Sequence, residues 1–202
     1  SAGMQIHTFA HLDADDARSK LQRIDQPVVV MTDTVFATDA AIAPLRELLD
    51  RMPDSAVLLA DDCHGFCVLG RSGRGALDHL GLQDPRLRLT TTLAKGLGCS
   101  GGVVCGPADW TARARATATA AVCTTPAPPA SVAAARCALA LIQSEPLRFE
   151  QLRRNTDLLR QTLRNAGFAV HDHPIPVFAI WLDTPEQTRE LSDHLIDNRV
   201  FV

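Results

Sequence analysis

The chain has little that would suit a nucleic-acid or membrane surface. Its 202 residues include no tyrosine, aromatic residues make up 4% of them, and the formal net charge is −3. Base stacking needs aromatic side chains and phosphate binding needs a basic face, so we expect neither a nucleic acid nor an anionic membrane as a partner. No apolar run reaches the length of about 20 residues that a membrane-spanning helix needs.

Closely paired cysteines of the kind found in zinc fingers are also missing. The six cysteines lie in apolar or Gly/Ala-rich stretches; they are Cys63, Cys67, Cys99, Cys105, Cys123 and Cys137. Cys63, His64 and Cys67 could in principle ligate a metal together. We favour the alternative, in which reduced cysteines act as small buried hydrophobic residues in a cytoplasmic protein, and we expect no metal.

Lysine is the scarcest charged residue. Of the 20 lysines and arginines, only Lys20 and Lys95 are lysines. Lys95 lies among small residues in TTTLAKGLGCSGG (90–102). The amine of a lysine can lose its proton and attack a carbonyl, whereas the guanidinium of an arginine cannot. Lys95 is therefore a candidate nucleophile. The alternative is a solvent-exposed lysine in a loop.

Strand-like and helix-like segments alternate along the first half of the chain. Apolar runs predict strands, and apolar residues at helical spacing predict helices between them. The predicted strands are 4–9, 27–33, 55–62, 86–92 and 101–106, and the predicted helices are 13–24 and 40–52. This alternation predicts an α/β fold with a mostly parallel sheet flanked by helices.

The second half is richer in alanine and arginine. Helices are predicted at 108–122, 129–145, 146–167 and 184–198, with apolar strand-like segments at 176–183 and 199–202. In the third of these helices, leucines are expected to form a buried face and arginines a solvated one. We predict a large α/β domain over 1–145, and over 146–202 a long linking helix with the start of a small α+β domain. Because the chain opens and closes on strand-like segments, we expect it to be a piece of a longer protein.

Reactive side chains follow two of the predicted strands. Asp61 and His64 come at the end of strand 55–62, and Thr92 and Lys95 come at the end of strand 86–92. Ligands collect at the carboxyl ends of parallel strands, so these groups are expected to converge. An amine, a carboxylate for a pyridine nitrogen and hydroxyls for a phosphate are what pyridoxal 5'-phosphate requires. Asp62 is an equally acidic alternative to Asp61.

Several segments resemble one family of pyridoxal-phosphate enzymes. DDCHGFCVLGRSGRG (61–75) and TLAKGLGCSGG (92–102) are similar to segments of the α-oxoamine synthases, which have fold type I. TDTVFATDAAIAPL (32–45) and CTTPAPPASVAAA (123–135) extend the resemblance over nearly the whole chain. Ala37 departs from it, because the family has serine there.

The resemblance implies a role for each candidate residue. Lys95 would hold the cofactor covalently and later move the substrate's α-proton. Asp61 would pair with the pyridine nitrogen, and His64 would hydrogen-bond the phenolic oxygen of the ring. Thr92 would bind the phosphate. Thr124 or Thr125 would contribute to the phosphate site of the partner subunit, since the family builds its sites across a homodimer interface.

The resemblance also implies a reaction. An amino acid would condense with an acyl-CoA thioester and lose carbon dioxide, giving an α-amino ketone. HGFCVLG is most similar to the 8-amino-7-oxononanoate synthase branch, which acts on alanine in biotin synthesis, whereas TTTLAKGLGCSGG is as similar to serine palmitoyltransferase. The alternatives are an aminotransferase and a non-catalytic truncated homologue. Because the family's glycine-rich phosphate loop, ring-stacking residue and carboxylate-binding arginine would lie outside these residues, we expect this piece alone to bind the cofactor weakly.

Overall fold

A mostly parallel sheet positions the candidate site. The computed structural model describes residues 3–201, apart from the side chain of Val122. The sheet has four strands in the order β1-β2-β3-β4. Strands β1, β2 and β3 are parallel, and β4 runs antiparallel to β3; they span Val29–Asp33, Val57–Asp61, Leu87–Thr92 and Gly102–Cys105. The predicted α/β fold with a mostly parallel sheet is confirmed.

Helices connect and flank these strands. They are α1 (Ala14–Leu21), α2 (Leu45–Arg51), α3 (Ala76–Leu80), α4 (Ala108–Thr117), α5 (Thr119–Val122), α6 (Pro129–Ser144), α7 (Pro146–Asn165) and α8 (Pro185–Asp197). Asp13 caps α1 by accepting hydrogen bonds from the Asp15 and Asp16 amides, and Thr184 and Gln187 form a capping box at α8. Among the described residues, no helix is both long and apolar enough to cross a membrane.

The main hydrophobic core lies between the sheet and helices α1 and α2. Leu45, Leu48 and Leu58 are each at most 1% exposed, and alanines of α1 join the same cluster. Strand β2 alternates between half-buried and buried residues, and Leu58 and Ala60 lie on its buried side. Because Leu58 and Ala60 face the core, the opposite face of β2, which carries Asp61 at its carboxyl end, remains available to a ligand.

Some predicted elements were wrong. Residues 4–10 form no strand, and Met4 and Ile6 are exposed, because no neighbouring strand in the described residues pairs with this segment. Residues 176–183 and 199–201, which were also predicted as strand-like segments, form no strand either, and Val202 lies outside the described residues. The helix predicted at 40–52 begins only at Leu45, since a bridge between Val35 and Ile42 holds the preceding residues extended.

The helices of the second half also differ from expectation. The predicted helix 108–122 breaks at Ala118, whose backbone is extended. In α7, Leu158 and Leu159 are exposed, whereas Arg160 is 9% exposed and donates to Asp157 and to the His173 carbonyl. The prediction of a buried leucine face and a solvated arginine face was therefore wrong for these residues, because the described chain packs nothing against those leucines.

Candidate active site

Lys95 lies on a short loop between β3 and β4. The Leu93 amide donates to the Gly101 carbonyl, and the Cys99 amide donates to the Leu93 carbonyl, both at 2.9 Å, which closes the loop. Gly96 packs directly on the segment after β2: a Cβ at this position would lie 2.5 Å from the Cys67 Cβ and 2.9 Å from the Phe66 carbonyl oxygen. Only glycine permits this approach, which carries Lys95 over the end of β2.

The Lys95 amine contacts two consecutive residues at that strand end. Its Nζ lies 2.8 Å from His64 Nε2 and 3.1 Å from Cys63 Sγ. Lys95 itself is exposed, while Cys63 and His64 are half-buried. The structure thus brings together Lys95 and His64, as the sequence predicted, and adds the Cys63 thiol. The sequence analysis favoured buried cysteines, but among the six only Cys99 is buried.

Asp61 and Asp62 point to opposite sides of β2. Asp61 is half-buried, lies in register with Asp33 of β1 and Thr90 of β3, and accepts the Cys63 amide at 2.9 Å. Asp62 is 1% exposed, on the buried side of the strand. Successive side chains alternate across a strand, so only Asp61 shares the side of Cys63. No ion pair engages Asp61 among residues 3–201.

The Asp62 carboxylate is enclosed by hydrogen-bond donors and glycines. It accepts the Thr34 hydroxyl at 2.5 Å and the Ala76 amide, at the first turn of α3, at 3.1 Å. A Cβ at Gly65 or Gly75 would overlap one of its oxygens. Burial raises the pKa of Asp62 above its usual 3.8, and the two hydrogen bonds oppose that rise. Asp62 therefore connects the loop after β1 to α3 and is not available to a ligand.

The predicted phosphate-binding threonines fall in two places. Thr92 ends β3, and its hydroxyl accepts the Ala94 amide at 3.1 Å, so it shapes the start of the Lys95 loop. Thr124 and Thr125 are exposed beyond α5, and the Thr124 hydroxyl donates to the Ala120 carbonyl. Among the described residues, the Lys95 amine forms hydrogen bonds with Cys63 and His64 and with none of these three threonines. Ala37 is exposed, in the loop after β1.

The proposed metal ligands do not form a cluster. The Cys67 backbone amide donates to the Gly73 carbonyl, and Lys95 Nζ contacts both Cys63 Sγ and His64 Nε2. Within the part of the chain that the structure describes, no group of three or more His, Cys, Asp or Glu side chains is arranged to hold a metal ion.

The electrostatic surroundings keep His64 neutral near pH 7. Burial, followed by the charge of Lys95, lowers the pKa of His64 from its ordinary 6.5, and the charges of Asp33 and Asp61 oppose this. A neutral imidazole can accept a hydrogen bond from the Lys95 ammonium at Nε2. The charge of Lys95 therefore disfavours protonation of His64, while the charges of Asp33 and Asp61 favour it.

This arrangement predicts how His64 titrates. In the full-length protein, the titration midpoint of His64 is expected below 6.5, and Lys95→Met is expected to move it upward, because the ammonium charge is gone while the burial remains. Histidine-selective NMR checks this, with the His64→Gln variant assigning the signal of His64. A midpoint above 6.5 in the unsubstituted protein, or a downward move in Lys95→Met, would contradict the geometry.

The fold and the site define an α/β protein in which an amine, an imidazole and a carboxylate converge at the carboxyl edge of a parallel sheet, where such proteins bind ligands. The chain belongs to the aminotransferase class I and II family, whose model matches residues 1–202.

Relatives in this family narrow the comparison. The chain is 34% identical to a putative 8-amino-7-oxononanoate synthase of Gloeothece citriformis, over 99% of this chain and 53% of the relative. It is 32% identical to serine palmitoyltransferase of Sphingobacterium spiritivorum, over 98% of this chain and 50% of the relative. A solved structure of SPT with a PLP internal aldimine superposes with a TM-score of 0.88 at 25% identity, covering 96% of this chain and 50% of that one. The chain thus spans about half the length of the curated relatives it matches.

Proposed function

We propose that this chain supplies the pyridoxal-phosphate end of an α-oxoamine synthase site. The observation that carries the proposal is the contact of Lys95 Nζ with His64 Nε2 at 2.8 Å, beside the end of β2 where Asp61 lies. The donor set fits the cofactor: an exposed amine, an unpaired carboxylate in the described chain and a neutral imidazole lie at one strand edge. The family match and the PLP complex of the SPT neighbour support the same assignment.

Each of these side chains has a distinct task in the proposal. Lys95 would hold the cofactor through its amine, Asp61 would hold the proton of the pyridine nitrogen, His64 would hydrogen-bond the phenolic oxygen, and Thr92 would bind the phosphate. When bound, the cofactor supplies an electron sink for a carbanion at the substrate's α-carbon. Lys95 Nζ would take up the α-proton, because His64 and Cys63 already hold this nitrogen at the strand end. Asp61 is the better partner for the pyridine nitrogen, because Asp62 is buried among its own donors.

The proposed reaction joins an amino acid to an acyl-CoA thioester, releasing coenzyme A and carbon dioxide and leaving an α-amino ketone. Relatives from two branches support this class: one is named a putative 8-amino-7-oxononanoate synthase and the other a serine palmitoyltransferase. We favour the former branch, in which the product serves biotin synthesis, because it supplies the relative with 34% identity.

The same proposal includes a homodimer with a shared site, in the cytoplasm. Strand β4 is exposed along its length, and so are Val132, Leu139 and Leu141 of α6, as surfaces that a second subunit would cover. Thr124 or Thr125 would then reach the partner's phosphate site. We also propose that the large domain ends near residue 145, where α6 stops and Pro146 begins the linking helix α7.

Borohydride trapping tests the cofactor assignment. The full-length protein with pyridoxal phosphate is reduced, digested and mapped by mass spectrometry. We expect a pyridoxyl group on Lys95 and none on Lys20, whose amine is paired with Asp16 at 2.7 Å in α1. An adduct on Lys20 alone, or none on either lysine, would refute the assignment.

The reaction type is tested by product. An α-oxoamine synthase releases coenzyme A only when an amino acid and an acyl-CoA are both present, and it forms no keto acid. Alanine with a series of acyl-CoA thioesters, and serine with palmitoyl-CoA, separate the two branches. Keto-acid formation without thioester use would identify an aminotransferase, and adduct formation without either product would identify a non-catalytic homologue.

A further inference from the structure

Cys63 helps to hold the Lys95 amine at the strand end, but the proposed function gives its thiol no chemical role. Its Sγ lies 3.1 Å from Lys95 Nζ, a hydrogen-bond contact between residues 32 positions apart in the chain. The Cys63 backbone is held in place because its amide donates to Asp61 Oδ1 at 2.9 Å. A thiol and an amine, both nucleophiles, are therefore fixed against each other at the strand end.

We propose that Cys63 and Lys95 form an oxidant-sensitive modification site, in which hydrogen peroxide converts the pair into a covalent sulfur–nitrogen cross-link. In the first step Sγ attacks one peroxide oxygen, the O–O bond breaks, and Cys63 becomes a sulfenic acid while water leaves. In the second step the Lys95 ammonium first gives up a proton to water, and the free amine then attacks Sγ. The S–O bond breaks, and the leaving hydroxide departs as a second water with a proton from the amine. Sulfur loses two electrons, peroxide gains them, and two thiols of an added reductant reverse the link.

The geometry selects this pair over every other cysteine and lysine. The chain has only Lys20 and Lys95, and Lys20 is engaged by Asp16 on α1. Cys99 is buried and donates to the Leu97 carbonyl, and burial raises the pKa of Cys67 to about 11. Among the described cysteines, only Cys63 accepts a hydrogen bond from a lysine amine.

Cys63 is not an unusually acidic thiol. Burial raises its pKa, and the hydrogen bond from Lys95 lowers it in opposition. The first step therefore needs excess peroxide, because the thiolate is the reactive form. The second step is favoured by proximity, since the amine is already at contact distance from the sulfur.

The cross-link has a consequence for the site that rests on the proposed function. A Lys95 nitrogen bonded to sulfur cannot hold pyridoxal phosphate, and a bound cofactor in turn occupies the nitrogen and should protect Cys63. The formation of the cross-link itself depends only on the Cys63–Lys95 geometry.

Peptide mapping of the full-length protein tests the pair. The protein is treated with hydrogen peroxide, remaining thiols are alkylated, and the protein is digested with trypsin. We expect the peptide 52–71, which holds Cys63, joined to the peptide 89–113, with cleavage blocked at Lys95 and a loss of about 2 Da relative to the two reduced peptides. Dithiothreitol should restore both free peptides, and prior loading with pyridoxal phosphate should reduce the cross-linked fraction.

Variants make the result specific. Cys63→Ala is expected to abolish the cross-link, whereas Cys67→Ala, its matched control on the same peptide, should leave it at the unsubstituted level. Lys95→Arg should stop the reaction at a sulfenic acid that dimedone traps on Cys63. Oxidation of Cys63 without any link to Lys95, or an unmodified Cys63 when other cysteines are oxidised, would overturn the proposal. If the cross-link forms but borohydride traps no pyridoxyl group on Lys95, the modification site is supported and the proposed function is refuted. If the pyridoxyl group is trapped but no cross-link forms, only the modification site is refuted.

Discussion

Lys95→Arg is expected to lower turnover of the full-length protein by about 10³-fold or more, because arginine keeps the charge but cannot act as a nucleophile or a base at neutral pH. The same variant should form no borohydride-reducible adduct. Stability should change little, since Lys95 is exposed and its loop is closed by backbone hydrogen bonds of Leu93 and Cys99. Coenzyme A release, adduct mapping and thermal unfolding measure these effects.

Lys20→Arg is the matched control for this loss. Lys20 is the other lysine of the chain and forms an exposed ion pair with Asp16, which arginine can also make. We expect turnover within about twofold of the unsubstituted protein, because exposed ion pairs contribute only about 0–1 kcal/mol. If Lys95→Arg kept more than about a tenth of the activity, the assigned role in proton transfer would be refuted.

Asp62→Ala is expected to reduce the free energy of unfolding by about 2–6 kcal/mol, because it leaves two buried donors without an acceptor at about 1–3 kcal/mol each. These donors are the Thr34 hydroxyl and the Ala76 amide. The loss would loosen the loop after β1 from α3. Denaturant unfolding measures it, and loss of cofactor should appear only under conditions where the protein begins to unfold.

Asp61→Ala provides the contrasting variant. Its carboxylate is half-buried and accepts only the Cys63 amide among described residues, so stability should fall by about 1 kcal/mol. Cofactor affinity should fall by about 10–100-fold, as expected when a charge-assisted hydrogen bond worth about 1.5–3 kcal/mol is lost. If Asp61→Ala unfolded the protein and Asp62→Ala weakened only cofactor binding, Asp62 would be the cofactor-binding residue and Asp61 the structural one.

The pH dependence of stability gives Asp62 a second test. Its folded pKa is raised by burial, so between 3.8 and that raised pKa the folded state binds more protons than the unfolded state. The contribution of Asp62 to stability therefore falls as the pH rises through this window. Asp62→Asn should remove that slope, whereas Asp61→Asn should reduce it only slightly, because the Asp61 charge is the smallest of the causes that shift the pKa of Asp62. An unchanged slope in Asp62→Asn would contradict a raised pKa.

Local patterns were enough to predict much of this molecule. Apolar runs predicted the strands around Val30, Leu58 and Leu89, because short apolar runs rich in β-branched residues and leucine are typical of the strands of a parallel sheet. The scarcity of lysine and the strand ends singled out Lys95, Asp61 and His64 before any contact was known. Alternation at the end of β2 predicts that Asp61 and Asp62 lie on opposite sides of the strand, but it does not say which side is enclosed, so the sequence analysis kept both aspartates open.

The segments that the sequence predicted wrongly depend on partners for their structure. An apolar segment such as 4–9 becomes a strand only when another strand pairs with it, and none does in the described chain. The leucine face predicted for α7 is open at Leu158 and Leu159, while Arg160 is buried by its bonds to Asp157 and the His173 carbonyl. Hydrophobic periodicity identifies a face, but not what covers it.

By itself, the sequence determined the strand order in the chain, the chemical groups at the strand ends and the family resemblance, because each depends on residue types and short spacings. Only the tertiary structure decided that Asp62 is enclosed while Asp61 remains available, and that Cys63 lies against the Lys95 amine. Those facts depend on contacts across 28 and 32 residues. Such contacts form only when the parallel sheet aligns β2 with β3 and Gly96 lets the Lys95 loop pack on the backbone after β2.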